Sequence, residues 1–119
     1  MSTPRSFPSP DGRFVLEIFS VPMRMSHEVE CSALFDTASK KSLFDPGDLW
    51  AAAGIQWSDD SQTLRMNMFQ YPNGSLPYAL TLDLEKGTAT LHSGDRIILN
   101  GDFLSVQRAM VIFEPEKYP

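Results

Sequence analysis

Ser9-Pro10-Asp11-Gly12-Arg13-Phe14-Val15-Leu16 returns in altered form, 49 residues on, as Ser58-Asp59-Asp60-Ser61-Gln62-Thr63-Leu64-Arg65. In both copies a polar turn opens a run of alternating apolar and polar residues, the period of a strand buried on one face. A second pair of stretches repeats at nearly the same interval. Leu34-Phe35-Asp36-Thr37-Ala38-Ser39-Lys40-Lys41 matches Thr81-Leu82-Asp83-Leu84-Glu85-Lys86-Gly87-Thr88, 47 residues on, and each copy closes a strand and starts a turn. Ser and Asp side chains at such places accept N–H bonds from their own loop, so the spacing predicts two similar antiparallel units in tandem.

The same alternation extends outward. Phe14, Leu16 and Ile18 alternate with Val15, Glu17 and Phe19, and Val29, Cys31, Ala33 and Phe35 form one side of a strand whose other side carries Glu28, Glu30 and Ser32. Trp50 to Trp57 reads as a further strand, although Ala51, Ala52 and Ala53 also suit a helical turn. Leu64, Met66 and Met68 alternate with Arg65, Asn67 and Phe69; Leu80, Leu82 and Leu84 follow after Tyr71-Pro72-Asn73-Gly74, whose Asn-Gly pair signals a hairpin. Shorter runs cover 42–44, 88–92 and 96–99, and a second Asn-Gly pair, Asn100-Gly101, points to another hairpin. In the tail, Leu104, Val106, Met110 and Ile112 fit a strand, whereas Phe103, Val106, Met110 and Phe113 fit a helix; the pattern favours strand. Pro115 and Pro119 end regular structure.

These residues resemble the blade repeat of TolB-type and WD-type β-propellers, whose consensus runs Ser-Pro-Asp-Gly, a hydrophobic strand, then an Asp and a Thr-Gly-Lys-like turn. The resemblance covers Phe7 to about His92 and implies a four-stranded antiparallel meander in each copy. Asp59-Asp60-Ser61 lacks the Pro and Gly, Lys40 stands where the turn glycine is expected, and no Trp-Asp pair ends a unit. Two repeats fall short of the roughly four to eight blades of a closed ring. Either several chains complete a ring or, as we expect, one all-β antiparallel meander of eight or nine strands packs as a bent sheet or two-sheet sandwich.

A chain of 119 residues has room for one domain, with repeat 1 at about 7–45, repeat 2 at about 50–92, and a C-terminal hairpin or tail at 93–119. Ten Lys plus Arg against fifteen Asp plus Glu leave a net charge of −5, the wrong sign for nucleic acid or anionic lipid. The single cysteine, Cys31, cannot make an internal disulfide, and the first twenty residues lack the apolar core of a secretory signal, so a cytoplasmic location is expected.

Chemistry is sparse. His27 and His92 lie far apart, no Gly-x-Ser-x-Gly elbow or phosphate-binding Gly-rich loop occurs, and Cys31 sits between Glu30 and Ser32 with no cation in sequence to favour a thiolate. No enzyme and no cofactor are expected. Asp59-Asp60 and Asp45-x-x-Asp48 are carboxylate pairs better explained by turns than by general acid–base work or a hard cation. Met23, Met25 and His27 project from one face of an extended chain, a thioether and imidazole set that suits Cu(I), so a small ligand or Cu(I) carrier is the alternative reading.

The favoured expectation is a non-enzymatic protein-binding module, in its most concrete form a bacterial immunity protein that covers a toxin's active surface. Its partner would be a protein with a basic surface. Tyr71, Asn73 and Tyr78 on a proline-stiffened loop would be the contacts, with Asp45, Asp48, Asp59 and Asp60 as an acidic rim beside Glu28 and Glu30. An open sheet edge would also allow a homodimer.

Overall fold

Alternating side chains pair into sheets only if register places every apolar row on the same side. In the computed structural model, which describes residues 5–22, 28–47, 50–70 and 78–112, that condition is met twice. The first sheet is a meander of β1 (Arg5–Pro8), β2 (Phe14–Pro22), β3 (Glu28–Asp36) and β4 (Ser42–Phe44). The second continues with β5 (Trp50–Trp57), β6 (Thr63–Gln70), β7 (Tyr78–Asp83), β8 (Thr88–Ser93) and β9 (Arg96–Asp102). One helix, α1 (Phe103–Val111), follows. All strand pairs are antiparallel, and the molecule is an all-β two-sheet fold.

The two sheets share one register. Pro8 pairs with Val15 as Trp57 pairs with Leu64; Leu16 pairs with Leu34 as Arg65 pairs with Thr81; Phe35 pairs with Ser42 as Leu82 pairs with Ala89. Their turns are duplicated bond for bond. Ser9 Oγ donates to Asp11 Oδ1 and accepts from the Phe14 N–H, while Ser58 Oγ donates to Asp60 Oδ1 and accepts from the Thr63 N–H. Backbone conformation repeats as well: Gly12 and Ser61 have φ of 75° and 63°, Lys40 and Gly87 have 61° and 69°. Ser61 and Lys40 therefore hold left-handed positions that their counterparts fill with glycine.

Phe14, Leu16, Ile18 and Leu34 of the first sheet join Leu64, Met66, Met68, Leu80, Leu82 and Leu91 of the second in one buried cluster. The sheets are also pinned across their join. Trp57 Nε1 donates to the Phe7 carbonyl at 2.9 Å, its ring stacks on Phe14 at 6.5 Å, and the Asp11 N–H donates to Ser61 Oγ at 3.0 Å. Helix α1 closes the cluster elsewhere: Val106 and Met110 are buried, Phe103 packs edge-on against Phe44, and Trp50 Nε1 donates to the Met110 carbonyl.

Four expectations need correction or completion. The tail is a helix, because Asp102 caps it by accepting from the Ser105 N–H at 2.7 Å and because Phe103, Val106 and Met110 then reach the core together. Asn100-Gly101 is no hairpin: both residues pair within β9, Asn100 with Thr90 and Gly101 with Ala89, and the turn is made by Gly94-Asp95, with Gly94 at φ 59°. In β3 the side facing the second sheet carries Ser32 and Leu34, since β2 register sets them beside Ile18 and Leu16; Cys31 and Ala33 are buried on the other face. The ninth strand is β1 and not the tail. Ala51 to Ala53 do lie in a strand, which bulges between Ala53 and Gln56 around Gly54.

Leu64→Ala is expected to cost about 3 kcal/mol in urea unfolding, because its side chain is fully enclosed. Lys40→Gly removes a left-handed residue worth roughly 1–2 kcal/mol at a smaller entropic cost, so it should stabilise the protein by about 0.5 kcal/mol.

Candidate functional site

The two repeats share four Asp-bearing turns, and the carboxylates of Asp11, Asp36 and Asp60 are held ionised by donors of their own loops. The Arg13 N–H and the Ser9 hydroxyl lower the pKa of Asp11, and the Ser39 and Ala38 N–H groups lower that of Asp36. For Asp60 the Ser58 hydroxyl acts first and the Gln62 N–H second. Asp83 accepts from the Lys86 N–H in the fourth turn. The α1 cap behaves alike, with the Ser105 hydroxyl and N–H lowering Asp102. All these donors lie within three residues of the Asp they serve, which is the arrangement of a turn.

The residues singled out in sequence do not converge on one spot. Asp59 and Asp60 are exposed at the β5–β6 turn. Asp45 lies beside α1, where its N–H donates to Gln107 Oε1 at 2.8 Å and its carboxylate accepts from the Gly47 N–H at 2.9 Å. Tyr78 begins β7 and is buried, its ring edge-on to Trp50 at 5.6 Å. Asp48, Tyr71 and Asn73 lie outside the described residues, as do Met23, Met25 and His27. Met66 and Met68 of β6 are core residues. Among the described residues no group of three or more His, Cys, Asp or Glu gathers as a metal site. Nor is any described helix long and apolar enough to cross a membrane.

What sequence reading passed over lies in the C-terminal elements. Every large apolar side chain that is exposed among the described residues sits on β9, on α1 or at the α1 C-cap: Ile97, Leu104, Val111 and Ile112. Leu104, Arg108, Val111 and Ile112 follow the i, i+4, i+7, i+8 spacing of one helix face, opposite the face that buries Val106 and Met110. Leu104 is 52% exposed and Ile112 is 77% exposed, whereas a surface helix ordinarily turns polar residues outward. The signal was present as Asp102-x-x-Ser105 ahead of a run with helical period, an N-cap pattern.

No family model and no curated protein matches the chain. Among solved structures it is similar to a chain described as a candidate dipeptidyl aminopeptidase IV from Bacteroides ovatus, at 14% identity and a TM-score of 0.45. That match takes in 73% of this chain and 17% of the other, so this chain spans about a sixth of the length of the protein it matches.

Because the lowered Asp groups are deprotonated more readily folded than unfolded, their stabilisation is complete above the ordinary value of 3.8 and is lost as pH falls through the folded values. Melting temperature should therefore hold from pH 7 to about 5 and decline below 4. Replacing both Asp11 and Asp60 with Asn keeps the turn acceptors and removes two titrations, so calorimetry should find a shallower acid decline in that variant.

Proposed function

We propose that the chain is a non-catalytic protein-binding module built on two degenerate blades of the propeller type, used as a stacked pair. In its most concrete form it is a cytoplasmic bacterial immunity protein that covers the active surface of a toxin. The observation that carries the reading is the outward apolar stripe of α1, Leu104, Val111 and Ile112, on an element added after the duplicated strands. Apolar side chains exposed in sequence on one helix face are the usual mark of a surface that another protein covers. Arg108 within the stripe supplies a directional contact of the kind that dominates binding energy. The net charge of −5 steers the chain toward a basic partner and disfavours acidic ones. The blade reading is supported by the shared register and the bond-for-bond repetition of the Ser-x-Asp turns.

The test is co-expression with the product of each neighbouring gene, reading growth rescue and copurification. The chain should rescue growth from one toxic neighbour and copurify with it. Leu104→Glu and Ile112→Asp should weaken that complex at least about tenfold while leaving the melting temperature within a few degrees, since both side chains are exposed. Rescue by neither chain nor variant, or full binding by both variants, contradicts the assignment.

A further inference from the structure

The outermost strand of a sheet keeps one row of backbone donors and acceptors unpaired, and such a row is a template for a further strand. Of the four sheet edges among the described residues, three are blunted. β1 is four residues long and ends in Pro8, and its Phe7 carbonyl accepts from the Trp57 indole. β4 has three residues, and α1 lies over it through Phe103 on Phe44 and Gln107 on the Asp45 N–H. The exposed residues of β5 are Ala53, Gly54 and Gln56, which offer a neighbouring strand no large apolar side chain to cover. β9 differs. Among the described residues it pairs with β8 alone, none of its seven residues is buried, and its run Ile97-Ile98-Leu99 includes the 63% exposed Ile97.

Register tells which β9 groups point outward. In an antiparallel pair, residues that exchange bonds with the neighbour alternate with residues whose N–H and C=O point away from it. The Phe103 N–H donates to the Gly87 carbonyl at 3.0 Å, so Gly101 opposite Ala89 and Leu99 opposite Leu91 also bond β8, and Asn100 opposite Thr90 points away. The Thr90 hydroxyl bond to Asn100 Oδ1, at 3.0 Å, fits the closer side chains of such a pair. At the other end the two-residue turn Gly94-Asp95 makes Ser93 and Arg96 a bonded pair, so Ile97 opposite His92 points away. Between these stretches the register slips by one residue, and the extra Ile98 packs against the core beside Leu99. The outward groups of Ile97 and Asn100 therefore stand three residues apart, whereas an unbulged strand presents them at every second residue.

We infer that β9 pairs antiparallel with β9 of a second copy of the chain, about a two-fold axis passing between Ile98 and Leu99. The bulge selects this occupant. A straight strand meets one outward residue of β9 and then falls out of step, but a second β9 carries the same three-residue interval. Ile97 of each copy then pairs with Asn100 of the other, each pair exchanging both N–H···O bonds. The faces agree as well. Ile98 of each copy lies opposite Leu99 of the other on the inner side, which carries the apolar row of the core across the axis, and the exposed Ile97 gains Asn100 as its neighbour on the outer side. The contact is isologous and closes on itself, so it stops at a dimer. It is small and sets Asp95 opposite Asp102 at each end, so it forms reversibly and at high concentration.

Sedimentation of the full chain from micromolar to millimolar concentration tests the pairing. Wild type should approach the mass of a dimer and go no further. Asn100→Pro removes an N–H that points away from β8, so it should keep the fold by circular dichroism and weaken the dimer at least about tenfold. Cysteine cross-linking reads the register without relying on that variant. Residues of a bonded antiparallel pair have Cα atoms about 5.5 Å apart, within reach of a disulfide. An equal mixture of Ile97→Cys and Asn100→Cys should therefore cross-link at least about tenfold faster than either variant alone, the native Cys31 being buried in both. A wild type monomeric throughout, association that continues past the dimer, a folded Asn100→Pro that dimerises like wild type, or a mixture that cross-links no faster than its components would each overturn the inference. Ile112→Asp, changed at the far end of α1 from β9, should dimerise like wild type, and a loss there would make α1 the joint instead. The dimer and the toxin complex are thus read by different variants, and the failure of one leaves the other standing.

Discussion

Neither sheet can bury its own apolar rows, and the structure rests on the single contact that lets them do so together. A four-stranded meander with Phe14, Leu16, Ile18 and Leu34 on one face would show that face to water, as would a five-stranded one with Leu64, Met66, Met68, Leu80 and Leu82. Placed against each other, these rows form one cluster, and the remaining devices serve that contact. The Trp57 indole bond to Phe7 and the Asp11 bond to Ser61 fix how the sheets lie at the turn end. Trp50 to Met110 and Gln107 to Asp45 fix the helix over the cluster elsewhere.

Strand identity was legible because alternation is a local property, and the turns were legible because Ser-x-Asp writes its own hydrogen bonds into the sequence. Face and partner were not. In β3, small residues stand on both sides, so Cys31 and Ala33 look as core-like as Ser32 and Leu34 until pairing with β2 fixes which side meets the other sheet. Asn100-Gly101 carries a hairpin signal that tertiary pairing overrides, the chain having already reversed at Gly94-Asp95. The tail satisfied two periods at once, and what chose between them was the Asp102 cap and the need for Val106 and Met110 to cover the cluster, facts that no window of sequence contains.

Of the surface named from sequence, Tyr78 turned out to serve packing against Trp50, and Asp60 to hold its own turn. Aromatic and acidic residues beside prolines and glycines are used by binding loops and by ordinary strand ends alike, so composition does not separate them. Exposure does. Among the described residues, the large apolar side chains left outward lie on β9, on α1 and at its C-cap, beyond the duplicated strands.

Native-state hydrogen exchange bears most directly on the claim that the two sheets stand only together. Amides of Leu16 and Leu34 in the first sheet and of Leu64 and Leu80 in the second should open with one common free energy and respond equally to denaturant. Exchange from the first sheet at low free energy while the second stays protected would show two independent units and contradict the account.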